Sequence, residues 1–379
     1  MPPKTRIAAA LAIPLAAAGC SWFEPEAEDL DFAEYEQQLT ETYNESVRLS
    51  AELDAAEHRI IQSCLEAQGF TVHDPSEFIV FEEERDSFMD QPPYLWFLPT
   101  AEEAERRGFW QWAELGTEDV EDGEALAAEN EAFKTGMGWL VFDAEDLEPQ
   151  EGPEFDTLSE DERFAWYVAY GGEAWATAMQ PELAGVEEPE TGEDDEGEAG
   201  NPPLGGCKLE MIEAVYGGLE EGEDEYSVRP DQPDGNWSAM NERYREGTAE
   251  AENAFLDCLD GRGHAGWEFY EGQILVHSYL VEAGDGEYPL TSYPDAGVRW
   301  PDPPTDVPDE GDAQGWLDFE RALAVDFAEC GDESGFRKAA EHAWQQAQLR
   351  YYLDIEGATF AWQAEMRDLI ERAQEVIGG

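Results

Sequence analysis

A chain of 379 residues with 90 acidic side chains against 21 Lys and Arg carries a formal charge of −69, which repels nucleic acid and anionic headgroups as partners. With 42 % apolar residues and 13 Trp, it is too hydrophobic for a disordered acidic chain and reads as a folded protein coated in carboxylates. Such a coat is expected of halophilic adaptation, because salt screens its self-repulsion. The first element is a charged start (Lys4, Arg6) followed by an apolar run, Ile7 to Ala18, and then Gly19-Cys20. The run is too short to span a bilayer and has the layout of a secretory signal. Residues 1–19 are therefore expected as a signal peptide, 20–29 as a tether and 30–379 as one globular helical domain. Within that domain, 30–217 and 236–379 form two possible pseudo-repeated halves.

Phe32, Tyr35, Leu39, Tyr43, Val47, Leu53, Ala56, Ile60 and Cys64 recur at three- and four-residue steps, predicting a helix of nearly forty residues ended by Gly69. Phe78 to Phe81 reads as a short strand. Brief helices are expected around Thr100–Arg107 and Glu124–Phe133, and another from Ser159, whose pairing with Glu162 is a capping-box pattern. Val186 to Pro203, with eight acids between Glu187 and Glu198, reads as a solvated loop. Short and long helices follow at Cys207–Val215 and Trp237–Cys258. Trp267 to Val281 suggests a hairpin turning at Glu271-Gly272. After a Pro-rich connection, one helix ends at Cys330-Gly331 and a last one runs from about Ser334 to Ile377. The apolar steps of that last helix (4, 4, 3) repeat every eleven residues, which favours nearly straight packing. The fold class expected is mainly α: a disulfide-stapled long-helix bundle with short β-hairpins and long acidic, Pro- and Gly-containing loops.

Cys64, Cys207, Cys258 and Cys330 each fall on the apolar stripe of a helix, and four cysteines in an exported protein point to two disulfides. A weak repeat, Cys64-Leu65-x-x-x-Gly69 and Cys258-Leu259-x-x-x-Gly263, favours Cys64–Cys207 with Cys258–Cys330. The rival is Cys207–Cys258 with Cys64–Cys330. All these loops are long, so chain entropy predicts roughly 4–5 kcal/mol per bridge and does not choose.

Ala18-Gly19-Cys20 resembles the lipobox of bacterial lipoproteins, although Ala17 stands where Leu is usual. The resemblance implies that Cys20 receives a diacylglyceryl group (palmitate-type chains) and becomes the mature N-terminus. Two acyl chains on one residue hold a protein firmly to a membrane surface. Together with Cys64-Leu65-x-x-x-Gly69-Phe70, Phe164 to Gly172, Gly206-Cys207, Val215-Tyr216-Gly217 and Ala322 to Cys330, the pattern resembles uncharacterised actinobacterial secreted lipoproteins. The likeness is scattered over residues 31–350. It implies location, lipid-anchored on the extracytoplasmic face of the cell membrane, and disulfides, but no activity.

Catalytic signals are weak. His58, His73, His264, His277 and His342 have no metal-ligand spacing, Asp231 to Gly235 lacks that of a calcium loop, and phosphate- or nucleophile-elbow motifs are absent. Cys258 with His264 reads as a disulfide cysteine beside a histidine rather than a nucleophile pair. No metal or cofactor is expected. Trp96, Phe97, Phe109, Trp110 and Trp112, with Trp267, Phe269 and Tyr270, are candidate stacking aromatics for a cell-wall sugar or cationic ligand, or else core. The reading is a non-enzymatic structural or ligand-binding envelope lipoprotein; the alternative is a cell-wall polymer hydrolase using paired carboxylates.

Overall fold

The side chain of Asp31 accepts from the backbone N–H of Ala33 and opens helix α1, Phe32–Ala67, whose 36 residues end where Gly69 takes φ +99°. That conformation is costly for any residue with a Cβ, so the glycine releases the chain from the helix. The structure is a computed structural model and describes residues 29–110, 120–136, 155–186, 201–217, 226–283, 300–302, 304, 307–309 and 312–379. Residues 1–28, which include the expected signal segment and Cys20, together with Trp112 and most of the acidic loop, lie outside the described residues.

Ten further helices follow among the described residues. They are α2 (Ala101–Arg107), α3 (Gly123–Gly136), α4 (Glu160–Gly171), α5 (Glu173–Met179), α6 (Pro181–Ala184), α7 (Gly206–Val215), α8 (Trp237–Gly261), α9 (Val276–Ala283), α10 (Ala313–Glu333) and α11 (Phe336–Gly378). The capping box at Ser159 is formed, with Glu162 reaching back to the Ser159 backbone N–H at 3.0 Å, and Thr100 with Glu103 makes another at the start of α2. The protein is mainly α, and Asp31–Gly379 forms one compact unit.

The β expectations are corrected. Phe78 belongs to a 3-10 turn, Pro75–Phe78, nucleated by Asp74 accepting from the backbone N–H of Ser76. Residues 79–81 are not in a strand. At Glu271-Gly272 the turn exists, with φ +50° and +80°, and Tyr270 and Gln273 exchange both backbone bonds. The pairing stops at that single bridge. Val276, Tyr279, Leu280 and Ala283 are all buried, a helical spacing, so the second arm closes a core as α9 instead of pairing as a strand.

The disulfides are Cys64–Cys207 and Cys258–Cys330, with Cα separations of 5.7 and 5.6 Å. Each joins a long helix to a shorter one, α1 to α7 and α8 to α10, and each lies beside its own core. The first core gathers Leu53, Ile61, Trp166, Tyr170, Trp175 and Met211; the second gathers Tyr244, Phe255, Trp267, Phe327 and Phe336. Helix α11, 43 residues and roughly 65 Å long, packs along both α1 and α8. Its N-terminal half (Phe336, Ala340, Trp344, Ala347, Tyr351) enters one core, and its C-terminal half (Trp362, Met366, Leu369, Ala373) enters the other.

Candidate functional site

Between Tyr351 and Trp362 no side chain of α11 is buried. Over roughly 15 Å of helix the two cores part, and a cleft of about 290 Å³ opens against α1 and the segment that leads into α8. Its wall includes aromatic and acidic side chains: Tyr43 from α1, Asp234 from the connecting segment, Trp237 from the start of α8, and Tyr351, Tyr352 and Glu356 from α11. Trp237 stacks at a tilt on Tyr351, ring centroids 4.8 Å apart, yet remains 44 % exposed.

The segment before α8, Arg229-Pro-Asp-Gln-Pro-Asp-Gly, is biased to extended backbone by its prolines and is held at successive points. Arg229 Nη2 binds Asp54 Oδ1 at 2.6 Å and Glu57 Oε2 at 2.9 Å. Trp362 Nε1 donates to the Pro230 carbonyl at 3.0 Å. Tyr351 donates its hydroxyl to Asp234 Oδ1, which also accepts from Trp237 Nε1 at 2.7 Å and from the Gly235 N–H at 2.9 Å. Gly235 is required there, since a Cβ would sit 2.4 Å from the Tyr351 ring.

These donors set the electrostatics. The hydrogen bonds from Tyr351, Trp237 and Gly235 hold the Asp234 carboxyl below its ordinary range, so it stays ionised. Tyr351 is pushed up to about 12 by burial and by its bond to Asp234, and burial likewise raises Tyr43 and Tyr352, so all three phenols are neutral. Glu356 accepts from Gln38. Arg85 lies over the Tyr43 ring at 4.7 Å but is paired with Asp90 at 2.8 Å. Three bonds converge on one oxygen of Asp234, and none of them occupies Oδ2.

The aromatics singled out from the sequence lie elsewhere. Trp110 is 6 % and Trp267 5 % exposed, and Phe97 and Phe109 are also buried. Trp110 is covered by the Arg107 guanidinium at 4.9 Å, and Phe133 packs edge-on to Trp96 at 5.5 Å, so this group seats α3. Trp267 meets Phe327 edge-on at 5.2 Å in the core. Burial of Trp110 and Trp267 removes them as a stacking platform; Trp96 is half-buried, and Trp112 is outside the described residues. Trp267 also borders a second cavity, of about 360 Å³, beside His264 and Asp326. The Asp326 carboxylate there is already taken by His264 at 2.7 Å and Arg262 at 3.0 Å. With Cys258 in a disulfide, no thiol faces His264 for nucleophilic chemistry.

No family model, curated protein or solved structure matches this chain. No grouping of three or more His, Cys, Asp or Glu suited to a metal occurs among the described residues, and no helix among them is long and apolar enough to cross a membrane.

Tyr351 and Tyr352 both line the cleft and both pack on the core around Phe327 and Phe336, and Tyr351 falls on the apolar stripe of α11, so the sequence does not mark it apart from a core residue.

Proposed function

We propose that this protein is an exported lipoprotein, anchored through acyl chains on Cys20 to the outer face of the membrane, and that it works without catalysis by holding a small ligand in the cleft between its two cores. The lipobox-like Ala18-Gly19-Cys20 supports the anchor. The acidic surface supports it indirectly, because a chain of charge −69 has no electrostatic hold on an anionic membrane. The same surface supports adaptation to high salt.

The observation that carries the ligand-binding reading is the cleft itself, an aromatic-walled opening near the lower end of the range for small-molecule sites, with Trp237 exposed in it. Hydrolysis is the weaker reading. A glycosidase needs two carboxyls facing the scissile bond, and Asp234 Oδ1 is already engaged by Tyr351, Trp237 and the Gly235 N–H.

The test is intact mass of protein taken from its native membrane, with and without reduction, beside a Cys20→Ser variant. A diacylglyceryl mass on residue 20, membrane retention lost in the variant and two disulfides gained back on reoxidation are expected. Unmodified Cys20 in a protein that is free of the membrane refutes the anchor.

A further inference from the structure

We infer that the cleft is a site for a small organic cation, an alkylammonium or quaternary ammonium group, held by the aromatic rings of Tyr43, Trp237, Tyr351 and Tyr352 and balanced by Asp234 and Glu356. The inference rests on the ligand-binding reading above and narrows it to a chemical class.

Three observations separate this class from the others. The first is charge: the whole chain, at −69, lowers the local concentration of anions and raises that of cations, most strongly in a recess. The second is the state of the two kinds of wall. The phenols are neutral, so their rings present the negative face that attracts a cation, and the Asp234 carboxylate is fixed as an anion by three donors that it does not have to recruit from water. The third is size and polarity. At about 290 Å³ the recess suits a compact head group, and its hydroxyls are partly spent, Tyr351 on Asp234 and Ser46 on the Thr42 carbonyl and Gln363. A sugar needs many well-placed donors and acceptors, whereas a quaternary ammonium needs ring surface and a counter-charge.

Position strengthens the case. The rings come from α1, α11 and the first residue of α8, so the recess is built on helices and not on a free loop. Its loop residues, Gln232, Pro233 and Asp234, sit in a segment tied down through Arg229, Pro230 and Tyr351. Pre-organisation of this kind lets a weak cation–π interaction register as affinity.

The experiment is calorimetric titration of the disulfide-bonded protein at fixed ionic strength with choline, with its uncharged isostere 3,3-dimethyl-1-butanol, and with a cellulose-type trisaccharide. Choline is expected to bind about tenfold or more tightly than the isostere, a difference of about 1.4 kcal/mol. Asp234→Asn and Trp237→Ala are each expected to weaken choline about tenfold. Glu356→Gln leaves the Asp234 anchor untouched and is expected to weaken choline severalfold while thermal unfolding stays unchanged. Equal binding of the isostere, or a tighter trisaccharide, overturns the cation class but leaves a ligand-binding cleft. No heat from any of the three overturns the class and the cleft reading together.

Discussion

Arg229→Met isolates the contact that fixes the cleft's loop. The arginine bridges Asp54 and Glu57 on α1, and Tyr216 donates to the same Glu57, whose side chain is only 12 % exposed. Methionine keeps the aliphatic stem and removes the charge, leaving a carboxylate that burial already pushes above its ordinary range. Loss of one partner from a fully buried pair costs about 3–5 kcal/mol, and from an exposed one under about 1. With Arg229 at 33 % and Asp54 at 28 % exposure, the expected loss at neutral pH is about 2–3 kcal/mol. Urea unfolding followed by circular dichroism at constant salt measures it. The pH signature is specific. A carboxyl whose folded-state pKa is raised binds more protons folded than unfolded, so its penalty is absent below the unfolded value and grows as pH rises through the folded one. Removing Arg229 raises that value further, so the mutational cost shrinks on acidification toward the ordinary carboxylate range. Adding Glu57→Gln to the variant removes the orphaned charge and is expected to recover about 1–2 kcal/mol. A cost below about 0.5 kcal/mol, or one unchanged with pH, would refute the account.

Serine at both Cys258 and Cys330, which close a separation of 72 residues, is expected to cost about 4 kcal/mol, and at Cys64 and Cys207, with 143, about 5 kcal/mol, read from denaturation midpoints; equal behaviour of the reduced and oxidised protein contradicts this. His73 is held below its ordinary value by burial and accepts from Trp166 Nε1 at 3.2 Å. Its depressed folded-state value makes stability fall as pH drops below about 6.5, and His73→Gln, which keeps an acceptor, is expected to flatten that slope in a pH-dependent melting series. Gly235→Ala drives a methyl into Tyr351 and is expected to cost about 1–3 kcal/mol and most of the choline affinity, with unchanged melting as the contrary result. Raising salt from about 0.1 to about 1 M shortens the Debye length from about 10 to about 3 Å and is expected to raise the melting temperature; a fall removes the halophilic reading.

The long helices were legible because their apolar residues recur at helical steps over many turns, as from Phe32 to Cys64 and from Phe336 to Ile377. The helix cap at Ser159 was legible because it acts within its own turn, whereas the like cap at Thr100 is seen only in the structure. The turn at Glu271-Gly272 was legible for the same reason, but the residues after it were not. Val276 is β-branched and Tyr279 aromatic, as suits a strand, and only the surrounding core makes Val276–Ala283 a helix. The aromatic residues misled in the same way. Trp110 and Trp267 carry no mark of burial in their neighbours along the chain, and Trp237, which is exposed, carries no mark of exposure.

What the sequence by itself determined is local and statistical: a strongly acidic composition, helical periods and four cysteines on apolar stripes. These are properties of neighbouring residues or of the whole composition, and no distant contact is needed to read them. Which cysteines meet, where α11 leaves one core for the other and which tyrosines then line a recess were decided only by the tertiary structure. Asp234 and Tyr351 stand 117 positions apart in the chain yet share a proton-donating contact. Such a pair depends on how two long helices and one proline-rigid segment pack, and no period in either helix records it.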